Sequence, residues 1–158
     1  MFPIRYLPKR LTPKDKEKQA RQLLKSKRLY RQRKYFTRDK IGSYVHKESA
    51  HVKKAKRIYR VDTIVPSSEL SQRTGCSIKG LQQIVRKGEG AYFSSGSRPS
   101  QTAQSWGIAR LASSITGGKS SAVDLHILKN ECRHDGKAYR LAIKTPGYGR
   151  RSTKHVRL

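Results

Sequence analysis

The chain has 158 residues, room for one domain rather than two, and only 34% are hydrophobic, so its core is thin. Its 37 lysines and arginines face 10 acids, a formal net charge of +27. Such a charge repels itself, which argues for a polyanion or an acidic protein surface as partner. Scattered acids with no nucleophile–base set or metal cluster argue against an enzyme, a cofactor and a small-molecule substrate.

No apolar run approaches the ~18 residues of a membrane span. The start, Met1 to Pro8, is too short and proline-broken for a secretory signal, so the expected setting is intracellular or inside a particle. Residues 1–60 hold 21 Lys and Arg against 4 acids, a net of +17, and residues 61–158 hold 16 against 6, a net of +10. The first part reads as a basic arm. Residues 1–11 are expected to be extended, with Phe2, Ile4, Tyr6 and Leu7 either anchoring on a partner or left untethered. Thr12-Pro13-Lys14-Asp15 opens a helix to about Tyr30 with a narrow stripe of Ala20, Leu23, Leu24, Leu29 and Tyr30. From Arg31 to Lys47 cations alternate with Tyr35, Phe36 and Tyr44. These rings suit either stacking on bases or pinning the segment to the domain. Thr37 is read as the cap of a short helical turn before Gly42. Ser49 caps a helix from Ala50 to about Tyr59, with Val52, Ala55, Ile58 and Tyr59 on one side. The candidate arm contacts are Lys25, Arg28, Arg31, Arg33, Lys34, Lys53, Lys54, Lys56 and Arg57; the alternative for them is a solvated face.

After an extended Val61–Val65 stretch and Pro66, a helical platform begins. Ser67 caps a helix through Arg73, Gly75 ends it, and Ser77 caps a second helix, Ile78 to Lys87. Leu70, Cys76, Leu81 and Ile84 fall at the apolar positions of a helix-turn-helix. Its second helix would expose Lys79, Gln82, Gln83 and Arg86, with Lys87 beside them, as nucleic-acid or anion contacts. The alternative is plain packing of two capped helices. Gly88 to Pro99 reads as a loop. Its amides suit an anion nest with Arg98, or it is a turn tied to the core by Tyr92 and Phe93. Thr102 caps a helix through Ile115, with Arg110 snorkelling or pairing with a carboxylate. Ser113 to Ser120 nearly matches a phosphate-binding P-loop but follows a helix where a strand is needed, so Gly117-Gly118 are read as a helix end. Ser121 caps a last helix, Ala122 to about Asn130, with Asp124 and His126 off its apolar side. His134 to Lys137 is a turn, followed by a short apolar piece, Tyr139 to Ile143. Cys76 and Cys132 are either one disulfide or two partly buried thiols. With His126 and His134 they are too few for a zinc site.

Three strings stand out: Gly88 to Tyr92, Ser95 to Thr102 (Ser-Gly-Ser-Arg-Pro-Ser-Gln-Thr) and Ser105 to Leu111 (Ser-Trp-Gly-Ile-Ala-Arg-Leu). Asp124 to Leu128 and the lysine-rich Ala50 to Tyr59 extend them, and the resemblance these strings mark covers roughly half the chain. In them the chain resembles uncharacterised proteins of large double-stranded DNA viruses of the chlorella-virus and giant-virus groups. The resemblance carries no activity. It implies a viral setting, where small basic proteins commonly are minor capsid or internal virion components. The expected fold is mainly α: a basic, extended and partly helical N-terminal arm (1–66), a helical platform (67–145, about four helices in 67–131) and a basic tail (146–158). The expected function is a virion structural protein on the inner side of the capsid. Its basic arm would contact acidic surfaces of the major coat protein or other minor proteins, and DNA. The alternative is a DNA-binding or genome-condensing protein using residues 67–87.

Overall fold

The computed structural model describes residues 1–145 and 154–157. Most of the expected basic tail, 146–153 and 158, lies outside the described residues. The fold is mainly helical. In chain order it runs β1 (Phe2–Pro3), α1 (Pro13–Arg31), α2 (Ala50–Tyr59), α3 (Ser68–Thr74), α4 (Ile78–Ser94), α5 (Ala103–Ser114), α6 (Lys119–Val123), α7 (Leu125–Glu131), α8 (Lys137–Lys144) and β2 (His155–Val156). Residues 67–131 thus hold five helices, α3 to α7, where about four were expected. The chain divides into two compact units. One comprises Met1–Lys47, Glu89–Trp106 and β2; the other comprises Glu48–Gly88 and Gly107 onward through α8. This division differs from an arm ending near residue 66, because each unit has an apolar core of its own.

In the first unit the N-terminal residues pack within the unit instead of lying untethered. β1 pairs antiparallel with β2, with Phe2 opposite Val156. Phe2, Tyr6, Leu7 and Leu11 are buried with Ala20, Leu23 and Ile41. Thr12 caps α1, its hydroxyl accepting from the Asp15 amide at 3.2 Å. The Asp15 carboxylate accepts from the Ser43 amide at 3.0 Å, and its bonds to Ser43 hold its pKa below the ordinary value. The buried side of α1 is partly polar. Gln19, Gln22 and Ser26 are buried on it with Ala20 and Leu23, whereas Leu24 and Tyr30, read as part of the apolar stripe, stay exposed. The wall that α1 meets is backbone, so hydrogen bonds match it: Gln19 donates to the Tyr6 carbonyl and Ser26 to the Phe93 carbonyl, both at 3.1 Å.

Residues 34–41 have no regular structure, so Thr37 caps no helical turn. The irregular path delivers Arg38 to the interior, where it is 6% exposed. Its guanidinium donates to Ser26 Oγ at 2.9 Å, the Tyr92 carbonyl at 2.8 Å and Ser97 Oγ at 2.8 Å, and lies 3.8 Å over the Tyr92 ring. Among the described residues no carboxylate pairs with it, and burial lowers its pKa from the ordinary value. The aromatics of this segment serve to pin it: Tyr35 lies against Phe93, Phe36 beneath Lys25 Nζ at 4.4 Å, and Tyr44 on the core.

In the second unit, α2 turns Val52, Ala55, Ile58 and Tyr59 toward Leu70, Leu81, Ile84, Leu111, Ile115 and Leu128. The Tyr59 hydroxyl donates to the Ile115 carbonyl, and burial pushes its pKa up. Helix α4 continues to Ser94, so the expected Gly88–Pro99 loop is half helix, and helical hydrogen bonding removes the amides an anion nest would need. The cause is packing. A Cβ at Gly88 would stand 2.6 Å from Gly107 Cα, so α4 and α5 approach at a pair of glycines. Thr102 caps α5 reciprocally with Ser105, at 3.0 Å and 2.9 Å. Gly117 ends that helix at φ +70°, as read from the sequence.

The expected Ala122–Asn130 helix is two short ones, α6 and α7, meeting at Asp124. Ser121 lies within α6 instead of capping, its hydroxyl bonded to the Gly118 carbonyl. Asp124, expected off the apolar side, is fully buried. It accepts two bonds from Arg110, at 2.7 Å and 3.1 Å, and one from Ser114 at 2.7 Å. The apolar piece Tyr139–Ile143 is part of helix α8.

Replacing Arg38 by Met leaves Ser26, Ser97 and the Tyr92 carbonyl without their donor. The expected loss is roughly 1.5–3 kcal/mol, read from urea unfolding followed by Trp106 fluorescence. Lysine should not restore it, because it lacks the planar fork. The glycines of α4 should split: Gly88→Ala overpacks α5 and destabilises by about 1–3 kcal/mol. Gly90→Ala, with nothing within 4 Å of its Cβ, should stabilise by up to about 1 kcal/mol in the same measurement.

Candidate nucleic-acid interface

The sequence from Ser67 to Arg86 forms α3 and the first part of α4, joined by a short turn within the second unit. Ser67 caps α3 by accepting from the Leu70 amide at 3.1 Å. Gly75 takes φ +83° and carries the chain out of the helix. A side chain there would be strained and would meet Gly136 Cα at 3.1 Å. Thr74 Oγ1 donates to the Leu70 carbonyl at 2.8 Å and accepts from the Cys76 amide at 3.1 Å, closing the turn internally. Ser77 then caps α4, its hydroxyl accepting from the Gly80 amide at 3.0 Å. Leu70, Cys76, Leu81 and Ile84 are all buried, the set the motif needs.

The turn is also held from outside by the end of α7. The Ser77 amide donates to the Glu131 carbonyl and the Arg133 amide to the Gly75 carbonyl, both at 2.8 Å. Between these two bonds lies the Cys76–Cys132 disulfide, which joins residues 56 apart in sequence. Ser77 Oγ donates to the Glu131 carboxylate at 2.7 Å. Gly80 faces this brace, and any Cβ there would collide with the Glu131 side chain. Glycine in a helix interior costs about 1 kcal/mol relative to alanine, but at this position it is a packing requirement. Of the brace, sequence offered only the two cysteines; nothing marked Glu131 or Arg133.

The opposite side of α4 is open. Lys79, Gln82 and Arg86 are exposed and Gln83 half-buried, and the spacing places the four on one face. Their side chains have no hydrogen bond or ion pair among the described residues. Lys87 belongs elsewhere: its ammonium lies 3.4 Å from His126 Nε2 and 3.8 Å from Asp124 Oδ1. Arg98 is exposed and belongs to the first unit. Of the arm candidates, Arg28, Arg31, Arg33 and Lys34 are exposed in the first unit, and Lys25 covers Phe36 there. In the second, Lys53 and Lys54 are exposed on α2, and Lys56 pairs with Glu48 at 2.7 Å, which lowers the Glu48 pKa. Among the described residues no group of His, Cys, Asp and Glu fits a metal ion, and no helix is long and apolar enough to cross a membrane.

Reducing the disulfide, or the Cys76→Ser/Cys132→Ser double variant, should lower stability by about 4 kcal/mol, the loop-closure value for a link of this length. Chemical denaturation with and without reductant checks it; coincident curves would mean that the hydrogen-bonded brace suffices alone.

The chain matches no curated protein and no solved structure. One family model matches residues 3–131, a span that takes in α1 to α7 and most residues of both apolar cores. The chain therefore belongs to DUF5824, a family of unknown function.

Proposed function

We propose that this protein binds double-stranded DNA through the α3–α4 pair. The observation that carries the reading is the open row Lys79, Gln82, Gln83 and Arg86 on the second helix of a braced helix-turn-helix. In this arrangement the second helix enters the major groove. Glutamine amides match the N6 and N7 edge of adenine, and the Arg86 guanidinium matches O6 and N7 of guanine. Lys79, near the start of α4, supplies a phosphate contact. The exposed cations outside this row add sequence-independent affinity by releasing counterions.

A virion role is the second reading, and the disulfide favours it. Disulfides persist in virions and other oxidising settings and are rare in the reducing cytosol. A basic protein on the inner side of a capsid, against acidic coat-protein surfaces and the genome, would keep both its disulfide and its charge partner. Fractionating opened particles after genome digestion tests it. Retention with the shell supports a capsid component, loss with the DNA supports a genome-bound one, and absence from particles overturns both.

Simple DNA binding would decide little at this charge, so the test is selectivity. Selection from a random duplex pool at about 150 mM salt should enrich a short motif with the wild-type chain. Gln82→Ala/Gln83→Ala should relax it at adjacent positions by about 1–3 kcal/mol per lost contact. Arg28→Gln, in the first unit and outside the row, should weaken all sequences alike. No motif, or one that survives the double glutamine variant, overturns the reading.

A further inference from the structure

The second unit contains a concavity that the α4 row does not use. It has a volume of about 480 Å³ and is lined by Arg57, Ile58, Tyr59, Arg60, Arg73 and Lys137. Three helices contribute: Arg57 and Arg60 come from the end of α2, Arg73 from the last turn of α3, and Lys137 is the first residue of α8. No carboxylate lines it, and none of the four cations forms an ion pair among the described residues. Helix dipoles account for Arg57 and Arg73 singly, since cations suit helix C-termini. They do not account for four cations converging on one hollow, where like charges repel across a short distance.

Arg60 carries the argument further. It ends α2 at φ +53°, ψ +49°, the left-handed conformation for which glycine is the usual choice. An arginine there is conformationally strained and places its charge in the hollow beside three others, so nothing about helix termination asks for it. Tyr59 is buried beside the hollow, its hydroxyl spent on the Ile115 carbonyl, and Lys137 Nζ lies 6.0 Å from its ring centroid. The exposed lining is mainly polar, so the four cations can offer a compact, multiply charged anion several donors at once.

We propose that this hollow is a binding site for clustered phosphate groups, those of an oligophosphate or of consecutive nucleic-acid phosphodiesters. The size suits such a ligand, falling within the roughly 300–1,000 Å³ of ordinary ligand sites. Guanidinium groups suit phosphate oxygens by forked hydrogen bonding.

The test titrates the full chain with inorganic tripolyphosphate at about 150 mM salt, reading heat and melting temperature. Wild type should bind saturably with one site. Arg60→Gly relieves the strained backbone, so it should fold at least as well as wild type while binding at least about tenfold more weakly. Arg73→Gln should weaken binding similarly. Lys129→Gln, an equal change in charge on exposed α7, should stay within about twofold, the small effect of a distant exposed charge. Absent saturable binding, unchanged affinity in Arg60→Gly, or equal loss in all three variants overturns the site. Duplex DNA then separates the sources. If tripolyphosphate displaces DNA and Arg60→Gly weakens DNA binding, the site holds a nucleic-acid backbone. If DNA binding is indifferent to both, it holds a free oligophosphate. Neither result depends on the α4 row, so failure here leaves the motif-selection test standing.

Discussion

The α3–α4 turn stays in place because chain arriving more than fifty residues later bonds to both sides of it. A short α3 of seven residues could not fix the direction of α4 alone, since so few helical bonds hold little structure. The end of α7 supplies what is missing, through the Gly75 and Ser77 backbone bonds and the Cys76–Cys132 link. The position of α7 depends in turn on Asp124, where α6 gives way to it. That carboxylate is held by Arg110 and Ser114 of α5, and α5 is held against α4 by the Gly88–Gly107 approach. Helix α4 is thus tied at its start by α7 and farther along by α5.

Few acids are available for this, and the structure uses several internally. Asp124 stabilises the α5–α6–α7 junction, Asp15 bonds Ser43, and Glu131 bonds Ser77. Among the described residues, ion pairs engage only Lys56, Lys87, Arg110 and Arg133 of the lysines and arginines. The positive charge is therefore not an excess that surface pairing neutralises. Arg38 is the extreme case, a buried cation satisfied entirely by hydroxyls, a carbonyl and a ring. A neutral side chain of similar reach would leave those acceptors unmet, so the charge is kept despite the desolvation cost.

What sequence made legible was local. Thr12, Ser67, Ser77 and Thr102 marked helix starts because a capping hydroxyl acts within three residues of itself. Gly75 and Gly117 marked ends because both take positive φ. The apolar spacing of Leu70, Cys76, Leu81 and Ile84 located the candidate interface. What stayed hidden depends on residues far along the chain. Gly88 to Ser94 has the composition of a loop and becomes helical because Gly107 lies against it. The partly polar side of α1 makes sense only once the backbone at Tyr6 and Phe93 is in place. Asp124 looked like a surface acid until Arg110 and Ser114 met it, and nothing in the sequence marked Arg60, whose left-handed backbone only the fold shows.

The α4 row and the hollow at Arg60 imply different uses of charge. A surface that only condenses a polyanion gains from every added cation and nothing from a neutral amide, because only cations release counterions. Lys79 and Arg86 fit that requirement, but Gln82 and Gln83 between them do not. Paired donors and acceptors on adjacent residues are useful to a helix that meets base edges. The hollow is the opposite case, with four cations and no amide side chain. It offers strong attraction for phosphate and no means of reading a base. On the two proposals, discrimination and anchoring would fall to different parts of one unit, a division that a purely genome-coating charge would not need.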